Sequence, residues 1–291
     1  MTVKEFTITA NDGFELSAAL FGKDDPKAVI QVIHGAMEHK ERYYGFCDFL
    51  NEQGYAVIVS DNRGHGHSVD EKYFLGNFDS PLRIVEDQYE ITKYIKGVYP
   101  GKDLYMFGHS FGSMLARIYL QEHDDEIKKL VLTGTMFPML IAEAGTALAK
   151  WNSGKFGGNT YKGPVPAIAN SGVDLWVCAD ENTMRDYRND PLVQNCKYTN
   201  DSVKGLIEAD ALLKKVRNYR VKNPSLPILT ANGRNDVCRG TFIGLRKTVR
   251  LLNKIGYNHV FTITYPGMRH EVINETDRAS VYNDIVGFYN S

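Results

Sequence analysis

Ser110 stands at the centre of Gly108-His109-Ser110-Phe111-Gly112, a G-x-S-x-G pattern. Leu104-Tyr105-Met106-Phe107 before it is an apolar run of strand length, and Leu115 and Ile118 after it fall at helical spacing. The serine is therefore expected at a sharp strand-to-helix turn. Small glycines on both sides permit that turn, which lifts the hydroxyl above the sheet and aims the next backbone N-H into the same space. Such a serine can act as a nucleophile. It does so only if a base takes its proton and a third group holds the base in the right tautomer.

Eight histidines compete for the role of base. His123 ends the helix after Ser110 on the far side, and His259 opens a strand at the wrong edge. His109 lies inside the turn, with its side chain expected to face away from Ser110. His34, His65, His67 and His270 follow strands at the correct edge, where open α/β sheets collect functional groups. Only His270 also follows a suitable acid in the order serine, acid, histidine. That acid is Asp236, the one carboxylate in Gly233-Arg234-Asn235-Asp236, since Thr133 to Pro138 contains none. An oxyanion formed at the attacked carbonyl needs two donors, and losing one typically costs about 3–4 kcal/mol of barrier. Phe111 N-H comes with the turn, and Ala36 N-H is expected as the second because Gly35-Ala36 lets backbone approach the site.

The elements that must carry these groups read in order. Lys4 to Thr9 and Leu16 to Phe21 form a hairpin around Asn11-Asp12-Gly13. Ala28 to Ile33 is a buried strand, followed by a helix from Arg42 to Gln53 closed by Gly54, and then by the strand Ala56 to Ser60. Ser80 and Pro81 start a helix with Ile84, Ile91, Ile95 and Val98 as its buried stripe. Lys129 to Thr133, Ile228 to Ala231 and Val260 to Tyr265 are further strands. Helices with stripes Phe242, Leu245, Val249, Leu252 and Val281, Ile285, Phe288 complete the chain. This alternation predicts an α/β fold, a mostly parallel doubly wound sheet with helices on both faces. It breaks between 135 and 223, where one helix near Asp201 to Val216 is expected. Residues 1–134 and 224–291 then make the two parts of the core, and 135–223 a largely helical lid inserted before the acid-bearing strand.

With 43% hydrophobic and 24% charged residues and a net charge of -1, composition is that of a globular protein with no global attraction to nucleic acid. Met1 to Asp12 shows no export signal, and no segment approaches the roughly 18 apolar residues of a membrane span. A cytoplasmic location is expected, with Cys47, Cys178, Cys196 and Cys238 as free thiols. His65-Gly66-His67 with Asp70 is a poor metal motif, because Val69 stands where a further ligand would be wanted. No metal or cofactor is expected.

Several stretches together resemble the α/β-hydrolases of the monoacylglycerol lipase and lysophospholipase (serine aminopeptidase S33-like) family. They are His34-Gly35-Ala36-Met37-Glu38-His39 with Arg42-Tyr43, Asp61-Asn62-Arg63-Gly64-His65-Gly66-His67-Ser68, the Ser110 turn, Asn189-Asp190-Pro191-Leu192, Gly233 with Asp236, and Gly267 with His270-Glu271. The resemblance implies the α/β-hydrolase fold, a triad of Ser110, Asp236 and His270, a lid over an acyl pocket, and cofactor-free hydrolysis of single-acyl-chain esters through an acyl-enzyme. Ser113 departs from the family pattern, which has a second glycine there, and is expected to tighten helix packing. Glu38, His39 and Arg63 read as loop-ordering partners. Met136, Phe137, Met139, Leu140 and Ile141 read equally as a greasy lid edge in transient contact with acyl chains or membrane and as ordinary packing. A short-chain carboxylesterase, an exopeptidase and a silent binding protein are the competing readings, the last disfavoured by the intact serine, acid and histidine.

Overall fold

The computed structural model describes residues 3–138, 142–171, 174–240 and 242–291. Its strands are β1 (Lys4–Thr9), β2 (Glu15–Phe21), β3 (Val29–Ile33), β4 (Ala56–Ser60), β5 (Leu104–His109), β6 (Lys129–Thr133), β7 (Ile228–Gly233) and β8 (Val260–Tyr265). They form one sheet in the order β1-β2-β4-β3-β5-β6-β7-β8. β2 pairs antiparallel with β1 and β4, and every other pairing is parallel. From β3 the chain first moves one way, to β4, and then the other way, to β5. The order therefore reverses at β3/β5, and the crevice beyond the carboxyl ends of these two strands is where such sheets bind ligands. Both Gly35-Ala36 and Ser110 leave the sheet there.

Alternation along the strands divides the core between the two faces. Val29 and Ile33, Leu104 and Met106, and Leu130 and Leu132 pack on one face, with α2 (Pro81–Val98) and α3 (Phe111–His123). Ile30 and Val32, Phe107, and Val131 pack on the other, against α1 (Tyr44–Glu52) and α10 (Arg278–Asn290). In α2 the Ser80 hydroxyl accepts Leu82 N-H at 3.2 Å and Pro81 fills the first turn. Ile84, Ile91 and Ile95 are fully buried, but Val98 is 42% exposed. Its angular position fits the stripe, yet the last turn of α2 stands clear of the core. The helix expected from Arg42 begins as a 3₁₀ turn, Lys40–Tyr43, and becomes α-helical only at Tyr44.

Between β6 and β7 the chain forms α4 (Ala142–Phe156), α5 (Pro164–Ala169), α6 (Glu181–Asn189), α7 (Pro191–Gln194) and α8 (Asn200–Leu213), the largely helical insertion expected, of which the sequence pattern located only α8. The reason is physical. α6 buries only Met184, so it has almost no apolar stripe, although Asp180 caps it by accepting Thr183 N-H at 2.8 Å. α9 (Phe242–Ile255) connects β7 and β8. Among the described residues no helix is long and apolar enough to cross a membrane.

Gly112 ties α3 to the sheet. A Cβ there would lie 2.2 Å from Ile33 O and 2.5 Å from His34 O, both backbone atoms that cannot swing aside. Gly112→Ala should therefore destabilise the fold by about 1–3 kcal/mol or more in urea denaturation. An unchanged midpoint would show that α3 has slack against β3.

Candidate active site

Ser110 occupies φ 52°, ψ -115°, a left-handed conformation that costs a side-chain-bearing residue of order 1–3 kcal/mol. Neighbouring bonds hold it there. Ser110 N-H donates to Thr133 O at 2.9 Å, and the Ser110 carbonyl accepts Ser113 N-H at 2.9 Å and Ser113 Oγ-H at 2.6 Å. The serine at 113 thus adds a hydrogen bond to the strained carbonyl. Phe111, first residue of α3, has an N-H with no acceptor inside the helix.

His270 and Asp236 meet beside this turn. His270 Nδ1-H donates to Asp236 Oδ1 at 3.0 Å, and both side chains are buried. Asp236 Oδ1 also accepts Cys238 N-H at 2.8 Å, so the carboxylate shapes its own loop. Burial of His270 opposes its protonation. The Asp236 carboxylate outweighs burial and raises the imidazole well above the ordinary histidine value, with Cys238 acting in the same direction. Gly134, the residue after Thr133, makes room for the imidazoles. A Cβ at Gly134 would stand 2.7 Å from Cε1 of both His270 and His109. The end of β6 therefore touches the Ser110 backbone and the His270 ring at successive residues.

The loop after β3 is organised by one carboxylate. Glu38 Oε1 accepts Gly35 N-H at 2.5 Å and Tyr43 O-H at 2.7 Å, while Met37 N-H donates to Tyr198 Oη at 3.0 Å. Both neighbours of Ala36 thus have their N-H groups committed, and among the described residues Ala36 N-H is the uncommitted one between them. Met37 itself has φ 56°. Arg42 links this loop to the histidine loop: it donates to Glu38 Oε2 at 2.8 Å and to both oxygens of Glu271 at 2.7 and 2.6 Å. Burial pushes Glu271 up, but Arg42 more than reverses this and holds it below the usual carboxylate range. Glu38, with burial dominant, is raised.

The insertion between β6 and β7 closes over the same edge. Trp176 packs against His270 with ring centroids 4.9 Å apart, Glu271 N-H donates to Val177 O at 2.9 Å, and His39 Nε2-H donates to Asp190 Oδ2 at 2.7 Å. A cavity of about 450 Å³ lies within the insertion and against Met37, lined by Ala169, Trp176, Tyr187 and Val193 and by the polar Asp174 and Lys197. Met136 is half-buried against the core, whereas Met139, Leu140 and Ile141 lie outside the described residues.

The remaining candidates are engaged elsewhere. Burial pushes His34 and His65 each down to about 3, so both are neutral. His34 accepts Asn62 N-H at 2.8 Å, and His65 Nε2 accepts Tyr198 O-H at 2.7 Å. His109, whose ring lies 4.7 Å from His270, is held neutral by burial and by that neighbour. His67 is exposed and pairs with Glu41 at 3.2 Å, so His65 and His67 do not converge. Arg63 pairs with Asp87 and Asp12. Sequence reasoning missed Trp176, Tyr198 and Cys238 beside the site. Only Cys238 carried a signal, its place two residues after the acid.

A parallel-centred sheet, a strained serine at the β5–α3 turn and a buried histidine–carboxylate pair at the same edge define a serine hydrolase of the α/β-hydrolase fold. The family model described as serine aminopeptidase, S33, matches residues 24–277, and the chain belongs to that family. It is 26% identical over 264 residues to the monoacylglycerol lipase of Mycolicibacterium smegmatis, covering 91% of this chain and 88% of that one. A monoglyceride lipase homolog of Monkeypox virus is 26% identical over 262 residues, with 89% and 88% covered. The structure of a thermostable carboxyl esterase from Bacillus coagulans superimposes with TM-score 0.87 at 25% identity, over 100% of this chain and 98% of that one. That of a monoglyceride lipase from Saccharomyces cerevisiae, at 20% identity and TM-score 0.77 over 99% and 95%, shares the fold.

Arg42→Met would leave two carboxylates facing each other in a buried site. It should cost about 3–5 kcal/mol in urea denaturation at neutral pH. The Glu271 carboxylate is held low by Arg42, so the stability that this pairing adds is present above the unfolded-state value and lost as pH falls through the folded one. The gap between wild type and variant should accordingly narrow in acid; a gap that widened would refute the ion-pair account.

Proposed function

We propose that this protein hydrolyses carboxylic esters of single-acyl-chain lipids, of the monoacylglycerol or lysophospholipid type, with Ser110 as nucleophile, His270 as base and Asp236 as the acid that orients it. The observation that carries this reading is the buried His270–Asp236 bond of 3.0 Å at the sheet edge where Ser110 is held in its strained turn. With Nδ1-H given to Asp236, the lone pair of His270 is on Nε2. It takes the Ser110 proton as Oγ attacks the ester carbonyl, then returns it to the leaving alcohol. Ala36 N-H and Phe111 N-H receive the oxyanion. Water repeats the sequence on the acyl-enzyme, with His270 as base again and Ser110 as leaving group.

Residues 135–223 act as a lid in this reading, with the cavity lined by Trp176 and Tyr187 taking part of the substrate. Transient contact of the lid with a membrane surface would deliver it. The relatives named as monoacylglycerol lipases support the lipid substrate, and four free cysteines fit the reducing cytoplasm. The fold shared with a carboxyl esterase keeps a short-chain ester as the second reading.

A fluorophosphonate probe should label the wild type and not Ser110→Ala, whose ester turnover should fall by roughly four to six orders of magnitude. Nitrophenyl esters of graded chain length should be cleaved fastest at medium or long chains. A strict preference for acetate would overturn the lipid assignment and leave the acyl-enzyme chemistry standing. Equal labelling of both proteins would overturn Ser110.

The free enzyme is active only when His270 is unprotonated, and Asp236 raises its proton affinity. The acid limb of kcat/KM should therefore lie above the ordinary histidine value of about 6.5. In Asp236→Asn the limb should move to lower pH while the rate falls by about 10⁴-fold. A limb that stayed in place would mean another acid partners His270.

A further inference from the structure

Beside the Asp236–His270 pair lies a third group that ester hydrolysis does not use. Cys238 donates its backbone N-H to Asp236 Oδ1 at 2.8 Å, and this tight loop brings its side chain back toward His270. Ligand-type atoms of Asp236, Cys238 and His270 all lie within 4.8 Å of one another, the one such group of three among the described residues. The Asp236 side chain is fully buried, yet its Oδ2 has no hydrogen-bond partner among the described residues. A buried carboxylate oxygen in that condition normally finds a donor or a cation. Cys238 is only partly buried, and an open cleft of about 600 Å³ reaches Asp236 from the surface past Asn235 and Val237.

We propose that Asp236, Cys238 and His270 form a reversible inhibitory site for a thiophilic divalent cation of the Zn²⁺ type; the inhibitory effect rests on His270 being the base. A carboxylate oxygen, a thiolate and an imidazole nitrogen are the donors that tetrahedral zinc takes, with a fourth position for water. Metal–ligand bonds of about 2.0–2.3 Å set donors roughly 3.3–3.8 Å apart, so the cluster closes by a side-chain adjustment of about 1 Å. The protons balance simply. Cys238 loses its S-H proton to solvent as the metal–sulfur bond forms. His270 gives the Nδ1 lone pair to the metal: the Nδ1 proton leaves to solvent, and a ring that was neutral takes one proton from solvent at Nε2, while an imidazolium already carries it.

An imidazole bound through Nδ1 and protonated at Nε2 has no lone pair for the Ser110 hydroxyl. The cation thus disables the base while leaving the nucleophile untouched. Arg234, Arg239 and Lys247 line the same cleft and oppose a cation, which makes the site an exchangeable one.

Two readouts test this on the intact protein. Zn²⁺ should inhibit ester hydrolysis, and EDTA should restore it. The Zn²⁺ concentration that halves each protein's own rate should be at least about tenfold higher in Cys238→Ser than in wild type. Co²⁺ should give a thiolate-to-metal charge-transfer band in wild type that Cys238→Ser lacks. The band reads coordination without catalysis: its presence with no inhibition would uphold the cation site and overturn His270 as base. Absence of the band from folded wild type, or inhibition of both proteins at the same Zn²⁺ concentration, would overturn the site.

Discussion

The arrangement depends on one residue held where side-chain-bearing residues rarely go. Ser110 at φ 52°, ψ -115° is unfavourable in isolation, and only a surrounding that leaves it no alternative can keep it. That surrounding is the parallel sheet. β5 ends between β3 and β6, the Ser110 amide is fixed to β6, and Gly112 lets α3 press against the last carbonyls of β3. These contacts are backbone to backbone, and the Ser113 hydroxyl adds one side-chain bond to the Ser110 carbonyl, so the turn is set chiefly by the sheet. Local strain is offset by burial of the central strands, β3, β4, β6 and β7 being buried along their whole length.

The second constraint is electrostatic. The loop that presents Ala36 and the loop that presents His270 come from opposite ends of the chain and share no strand. Arg42 joins them through Glu38 and Glu271 in a site where water hardly enters. Charges so placed interact strongly but only within narrow geometry, so the two loops keep a common register. Tyr187 of α6 lies over the Arg42 guanidinium at 4.9 Å, which brings the insertion into the same assembly.

Much of this was legible in the sequence, for reasons that particular residues make plain. Ile30, Val32, Met106, Val131 and Leu229 belong to near-continuous apolar runs because parallel strands are covered on both faces. The glycines around Ser110 marked the turn, and chain order separated His270 from the other histidines. What escaped depended on distance or on weak patterning. Arg42 and Glu271 are 229 residues apart, and nothing local in either announces the other. α6 has too little apolar surface to show a stripe, and Val98 follows the right period on a turn with no core beneath it. Trp176 and Tyr198 meet His270 and His65 far along the chain, contacts that spacing does not encode.

Tyr198 gives the insertion a role besides cover. Its hydroxyl receives Met37 N-H and donates to the neutral His65, and so joins the insertion to the loop that carries Ala36. Any swing that took Tyr198 away would leave Met37, already at a positive φ, without its restraint, and would free a second amide next to Ala36. Opening the roof would then slacken the floor beneath it. If residues 135–223 open as the proposed lid and Ala36 N-H receives the oxyanion as proposed, admitting a substrate and stabilising its charge would be alternating conditions, and the enzyme would be fully assembled only once its guest is enclosed.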